Sequence, residues 1–247
     1  MTITSPQNPA LKQLRRLRRR RDRERDGRFL AEGEDLIAAA GLAGWQPLDG
    51  FRAAGSGLGG QDFADVDATT LSTVSTLGSG TRVIGVYEQR WAKVPVGPLC
   101  VYLHGVRDPG NVGTVLRSAQ AFGASCVALG PDCADPYSPK AVRASMGAIF
   151  GVAVARVESI GELPGERVAL VANAGEVLRG PPAPPPAGSQ GVTLLIGAER
   201  EGLPDEVVAG CERVAHIPIE AESLNAAMAA TVALYEMTSG STRVRAS

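Results

Sequence analysis

The stretch Leu99-Cys100-Val101-Tyr102-Leu103-His104-Gly105-Val106-Arg107-Asp108-Pro109-Gly110-Asn111-Val112-Gly113-Thr114-Val115-Leu116-Arg117-Ser118-Ala119 decides the fold. Its first five residues are an unbroken apolar run of strand length, as a strand buried on both faces requires. Asp108 and Pro109 then supply an N-cap and a first helical residue. Val112, Val115, Leu116 and Ala119 follow at helical spacing and define one buried face. At about 100° per residue, Arg117 falls nearly opposite that stripe. The helix does not need it for packing, so it is free to meet phosphate, a substrate or a partner chain. Taken alone, it also reads as an ordinary surface arginine.

Working outward, apolar runs of strand length recur at Ser125 to Leu129, Val152 to Val157, Val168 to Val171, Val192 to Ile196 and Val214 to Ile217. Helical stretches lie between several of them. This rhythm predicts an α/β fold with a mainly parallel sheet covered on both faces. Pro95, Gly97 and Pro98 interrupt both periods and set a boundary, giving domains 1–94 and 95–247. A chain of 247 residues is long enough for two cores. Pro181 to Pro186 reads as a surface loop inside the second domain, because proline suits neither helix interior nor central strand.

The first domain opens on charge. Between Leu11 and Arg28 ten basic residues (Lys12, Arg15, Arg16, Arg18, Arg19, Arg20, Arg21, Arg23, Arg25, Arg28) meet three acids (Asp22, Glu24, Asp26), a local charge of +7 in a chain of net −1. The remaining body is therefore acidic, and one concentrated basic arm suggests a polyanion contact. A solvated helix face is the alternative on composition alone. Leu11, Leu14 and Leu17 predict one helix here, ended by Gly27. A second helical pattern covers Phe29 to Ala38, and Arg82 to Tyr87 reads as a strand.

Several classes are disfavoured. No apolar run reaches bilayer length, so no membrane span is expected. The arginine-rich start lacks the apolar core of a secretory signal, and a cytoplasmic protein is expected. Cys100, Cys126, Cys133 and Cys211 form no CxxC pair, and His104 and His216 lie far apart, so no metal site is expected. Gly55-Ser56-Gly57-Leu58-Gly59-Gly60 satisfies GxGxxG, but no clean strand precedes it and Gln61-Asp62-Phe63 opens no helix. It reads as a glycine loop, not a dinucleotide turn. None of the three lysines follows a P-loop glycine.

Two more segments carry chemistry. In Leu194-Leu195-Ile196-Gly197-Ala198-Glu199-Arg200-Glu201-Gly202-Leu203-Pro204 a strand runs into a loop bracketed by glycines, where backbone can approach a ligand closely. It is also the form of a plain strand-to-helix connection. In Ile217-Pro218-Ile219-Glu220-Ala221-Glu222-Ser223-Leu224-Asn225 a strand ends, an acidic turn follows, and Ser223 is placed to cap an alanine-rich helix.

Asn111-Val112-Gly113-Thr114-Val115-Leu116-Arg117, Ile196-Gly197-Ala198-Glu199-Arg200-Glu201-Gly202-Leu203 and Ile217 through Ala230, in this order, closely resemble the three motifs of the SpoU/TrmH family of RNA 2′-O-methyltransferases. The earlier region, from Asn8 through Gly33, resembles the RNA-binding domain that many members carry. The resemblance covers nearly the whole chain and is looser between residues 40 and 80.

It implies a trefoil-knotted C-terminal α/β domain, of the SPOUT type, behind a smaller N-terminal α/β RNA-binding domain. It implies a homodimer with an active site completed across the interface. S-adenosylmethionine is the implied cofactor, bent in the knot and held mainly by backbone. By position Gly197, Ile217 and Leu224 would hold it, with Glu199, Gly202 and Ile219 beside them and Asn173 as an addition. Arg117 matches the family's catalytic arginine, and Asn111, Ser223 and Asn225 match its other functional polar positions. A guanidinium titrates above ~12, so Arg117 is expected to orient the 2′-hydroxyl and stabilise the forming alkoxide. Arg15, Arg16, Arg18 and Arg19 are expected to contact RNA, with ribosomal RNA favoured over transfer RNA. A catalytically silent RNA-binding or ribosome-assembly factor of the same fold is the competing reading. A dinucleotide-dependent oxidoreductase rests on the glycine loop alone.

Overall fold

The computed structural model describes residues 2–76, 80–172, 174–180 and 191–243, in two compact units. The expected proline loop at 181–186 lies outside the described residues. Unit one takes Met1–Arg90 together with Asp135–Gly151, and unit two takes Trp91–Ala134 and Val152–Ser247.

Unit one holds α1 (Pro9–Arg16), α2 (Arg20–Asp26), β1 (Arg28–Glu32), α3 (Glu34–Leu42), β2 (Asp49–Ala53), β3 (Ala64–Val66), α4 (Ala68–Ser72) and β4 (Val83–Glu88), with α6 (Pro139–Ala144) from the returning segment. The sheet runs β1-β4-β2-β3, with β4 antiparallel to both neighbours and β3 parallel to β2. Leu11, Leu14 and Leu17 are buried against Leu30, Ile84 and Val86, as their spacing predicts.

The basic run is nevertheless two helices rather than one. The chain turns extended at Arg19, with φ −91° and ψ 133°, before α2 begins, and Gly27 ends α2 in the left-handed conformation. Arg23 accounts for the break. Its buried guanidinium donates to the carbonyls of Leu17 and Arg18 at 2.9 and 2.8 Å, which a continuing helix would have used internally. The same guanidinium meets the Asp135 carboxylate at 2.5 Å, with both side chains almost fully buried.

Phe29, Ala31 and their neighbours form strand rather than helix. β1 pairs with β4 from Arg28↔Glu88 to Glu32↔Ile84, and all but its first residue are buried. Sheet pairing here overrides a local pattern that suits either state. Helix α3 follows only after Gly33, whose φ of 106° turns the chain. Phe29 packs with Trp45, Tyr137 and Phe150, the Phe29–Tyr137 rings 4.8 Å apart and Trp45–Phe150 5.2 Å apart. The glycine loop at 55–60 connects β2 to β3 with no helix behind it. Gly50 and Gly59 are needed for packing: a Cβ on either would sit 2.5 or 2.4 Å from the Phe63 ring.

Unit two holds β5 (Leu99–Leu103), α5 (Pro109–Ala121), β6 (Cys126–Leu129), β7 (Ala153–Arg156), β8 (Glu166–Leu170), β9 (Glu176–Val177), β10 (Val192–Ile196), α7 (Asp205–Ala209), β11 (Arg213–His216) and α8 (Ala226–Arg243). Its sheet runs β7-β6-β5-β10-β8-β11-β9, every pair parallel. All six expected strands are present. The short β9 is exposed and has no apolar run to announce it. In α5 the four expected residues are buried and Arg117 is exposed. Helices α5 and α8 are joined by a hydrogen bond of 2.6 Å between the Ser118 and Thr231 hydroxyls. Tyr102, Ala169 and Leu195 pack with Leu203 and with Val207 of α7.

Candidate active site

Because β10 lies between β5 and β8, and β11 lies beside β8, the carboxyl ends of these strands adjoin. Ligands of open α/β sheets occupy such ends. A cleft of about 460 Å³ sits there, lined by Leu170 at the end of β8 with Val171 and Ala172, by the loop Gly197 to Leu203 after β10, by Ile217, Ile219 and Glu222 to Leu224, and by Ala226 and Ala229 of α8.

The loop after β10 doubles back on itself. The Gly202 amide donates to the Ala198 carbonyl at 2.9 Å. A Cβ on Gly197 would lie 2.1 Å from the Gly202 carbonyl carbon, and Gly202 itself takes φ 68°. Glycine is therefore needed at both ends, at one for close approach and at the other for backbone conformation.

Gly197, Glu199, Gly202, Ile217, Ile219, Ser223 and Leu224, all singled out from the sequence, line this cleft. Asn173 lies outside the described residues. Leu170, Val171 and Ala172 were missed as wall residues. They have no polar signature, and only the pairing of β8 with β10 brings them to the site.

Asn111 and Asn225 join the same region through hydrogen bonds. Asn225 Nδ2 donates to Asn111 Oδ1 at 3.2 Å, and Asn111 Nδ2 donates to the Glu199 carboxylate. One residue from each of the three segments is thus tied into a single chain. Asn225 has a second task that sequence reading gave to Ser223. Its Oδ1 accepts from the amides of Ala227 and Met228 at 2.9 and 3.4 Å, and its carbonyl accepts from Ala229 at 2.9 Å. Asn225 is therefore the N-cap of α8. Since α8 starts at Ala226, Ser223 lies too early to cap it and lines the cleft instead. Arg117 does not line the cleft; it is exposed on α5 and its side chain joins no described residue by a hydrogen bond or ion pair.

The wall suits a cationic sulfonium nucleoside. Ile196, Leu203, Ile219 and Leu224 offer apolar surface to a flat base, the folded glycine loop brings main-chain donors and acceptors, and Glu199 and Glu222 carry negative charge. When bound, S-adenosylmethionine supplies an activated methyl group.

In unit one the four expected RNA contacts divide. Arg15 donates to the Pro6 carbonyl and the Thr73 hydroxyl at 2.7 and 3.0 Å, and Arg18 donates to the Ser75 carbonyl. Arg16 and Arg19 are exposed. Arg16 shares a shallow hollow with Lys12 and Arg25.

Fold and cleft together define a class, an S-adenosylmethionine-dependent RNA methyltransferase of the SPOUT type. The profile of the SpoU rRNA methylase family matches residues 98–235, more than half of the chain, and that of an MRM3-like substrate binding domain matches residues 8–94. The chain belongs to the SpoU rRNA methylase family, whose members methylate ribose 2′-oxygens of RNA. It is 26% identical to the 23S rRNA (guanosine(2553)-2'-O)-methyltransferase RlmP of Bacillus subtilis, over 95% of this chain and 98% of that protein. The crystal structure of an AdoMet-bound rRNA methyltransferase from Sinorhizobium meliloti superposes with a TM-score of 0.81 at 32% identity, covering 96% of this chain and 97% of the other. The SpoU methyltransferase AviRb from Streptomyces viridochromogenes, in complex with AdoMet, gives 0.80 at 28% identity, covering 98% and 99%.

Proposed function

We propose that the RNA methylated is ribosomal, and that the chain works as a cytoplasmic homodimer with a trefoil-knotted catalytic domain. The observation that carries the catalytic reading is the Asn225–Asn111–Glu199 chain at the edge of the cleft. It fixes the start of α5 against the glycine loop and α8, and so holds the place where a ribose must meet the methyl group. Gly197, Glu199, Gly202, Ile217, Ile219 and Leu224 hold the cofactor, with Asn173 in the same role. Asn111, Ser223 and Asn225 position the ribose. Arg117 orients the 2′-hydroxyl and an adjacent phosphate and stabilises the negative charge that develops on that oxygen, a role suited to a group that stays charged.

Dimerisation is supported by Met228, Val232 and Tyr235, which are 58%, 37% and 52% exposed at helical spacing on α8. In this reading Arg117, exposed on α5 and absent from its own cleft, serves the cleft of the partner. The knot is supported by close passage of the chain after β9 over α8: a Cβ on Gly180 would lie 2.3 Å from the Glu236 carbonyl oxygen. The preference for ribosomal RNA follows the Bacillus subtilis and Sinorhizobium meliloti relatives named above, both of which are called rRNA methyltransferases. The cytoplasmic assignment accords with the absence, among the described residues, of a helix long and apolar enough to cross a membrane.

Transfer of tritiated methyl from S-adenosylmethionine to ribosomal and transfer RNA, followed by mapping of 2′-O-methylated nucleotides, tests the reading. Label confined to ribosomal RNA is the expected result. Label in transfer RNA alone would overturn the substrate, and none in either would leave a binding factor. Arg117→Lys is expected to lose most turnover, and a variant with full turnover and unchanged pH profile would remove Arg117 from the mechanism.

A further inference from the structure

Residues Asp135–Gly151 fall within the methylase profile, yet they pack as part of unit one. The turn that ends α6 is held on several sides. The Ser145 hydroxyl donates to the Val142 carbonyl at 2.7 Å and is fully buried. A Cβ on Gly147 would lie 2.5 Å from the Cβ of Ala39 on α3. The Phe150 carbonyl accepts from the Trp45 indole at 2.9 Å.

Within this fixed frame Met146 is anomalous in two ways. It has φ 49°, and the only other non-glycine residue with positive φ among those described is Asp132, of a type that tolerates the left-handed region. Its side chain is 52% exposed, whereas Ser145, Ala148, Ile149 and Phe150 are buried. Glycine would fill this position, just past the end of α6, at least backbone cost. A strained residue that also leaves an apolar side chain in water serves neither packing nor solubility, and such strain gathers at contact sites. Beside it, in the last turn of α6, Arg143 is exposed and its guanidinium joins no described residue by a hydrogen bond or ion pair, while its carbonyl accepts from the Met146 amide at 3.1 Å.

We infer that Met146 and Arg143 form an RNA contact on unit one, in which the Met146 thioether lies against the face of an unpaired nucleobase and Arg143 meets a neighbouring phosphate. A polarisable, unbranched side chain adapts to a base face, and a paired cation gives the contact its preference for nucleic acid over an apolar protein surface. The inference rests on the RNA methyltransferase reading above. It adds a contact supplied by the methylase segment of the chain to the substrate-binding unit.

The test uses the full chain, S-adenosylmethionine and extracted ribosomal RNA. Met146→Gly removes the side chain and relieves the backbone, so Tm is expected to rise by about 2–4 °C. At the same time KM for RNA rises about fivefold or more, the low end of what stacking on a base contributes, while S-adenosylmethionine affinity is unchanged. Met146→Leu keeps an apolar side chain and is expected to retain RNA affinity within about twofold. Arg143→Gln flattens the salt dependence of RNA binding by about one contact. A Met146→Gly protein with higher Tm and wild-type KM for RNA would overturn the inference alone, as would a lowered Tm. A wild-type chain that labels no RNA would overturn the function it rests on.

Discussion

Asn225 donates from its side-chain amide to Asn111 Oδ1, 114 residues earlier in the chain, while its own Oδ1 caps α8. One side chain thus fixes a helix start and the position of a polar residue beside the cleft, and its two atoms can be tested apart. Asn225→Asp keeps the capping oxygen and loses the donor. It is expected to unfold within about 0.5 kcal/mol of wild type yet lose most methyl transfer. Asn225→Ala loses both, with a stability cost of about 1 kcal/mol in urea unfolding. Equal activity of Asn225→Asp and wild type would show that only the cap matters.

Gly197→Ala places a methyl group where the Gly202 carbonyl carbon already stands. The loop must open, and with it the main-chain wall of the cleft. Calorimetric titration is expected to show S-adenosylmethionine affinity reduced about tenfold or more, at least ~1.4 kcal/mol, with a far-UV circular dichroism spectrum like that of wild type. Unchanged affinity would move the cofactor elsewhere.

The Arg23–Asp135 pair is buried, and Arg23 also satisfies two main-chain carbonyls. Asp135→Asn leaves a buried cation without its counter-charge. The expected loss is about 3–5 kcal/mol in denaturant unfolding, the usual cost of breaking such a pair from one side. A fragment ending at residue 94 lacks Asp135, Tyr137 and Phe150 and is expected to unfold at lower denaturant than unit one of the full chain. Equal midpoints would show that the returning segment adds nothing.

Neutralising Lys12, Arg16 and Arg19 together is expected to flatten the salt dependence of RNA binding by about two to three contacts while leaving Tm unchanged. Neutralising Arg15 and Arg18 removes hydrogen bonds to Pro6, Thr73 and Ser75, so Tm falls instead. The reverse pattern would exchange the two sets between interface and fold.

Glu212, just before β11, accepts from the Arg167 side chain and from its backbone amide, the latter at 2.7 Å. The Arg167 guanidinium holds this carboxyl down at about 2 against an ordinary 4.5. A depressed folded value means the stabilisation is complete above pH 4.5 and is lost as pH falls through about 2. The Glu212 side chain is about half exposed and that of Arg167 a quarter exposed, so the pair is worth about 0.5 kcal/mol. Stability curves of wild type and Glu212→Gln are expected to differ by that amount at neutral pH and to converge at low pH. A constant gap down to pH 2 would assign the effect to something other than ionisation.

What the sequence by itself determined is local and periodic. The strands of unit two other than β9 were legible because parallel strands buried on both faces are continuous apolar runs, and the faces of α5 were legible because burial repeats at the helical period. The glycines and polar residues of the three segments stood out for the same reason, since turns, caps and close approach restrict residue type. What only the tertiary structure decided is what depends on partners distant in the chain. Phe29 to Ala31 fit a helix or a strand until β4 pairs with them. Arg23 is one arginine among many until Asp135, 112 residues away, buries it. Arg15 and Arg18 gain fixed partners within the fold only when Pro6, Thr73 and Ser75 come within reach. Ser223 and Asn225 are both good capping types, and the point where α8 can first pack decides between them. In each case the local preferences differ by about 1 kcal/mol or less, whereas burial and pairing across the fold outweigh that difference.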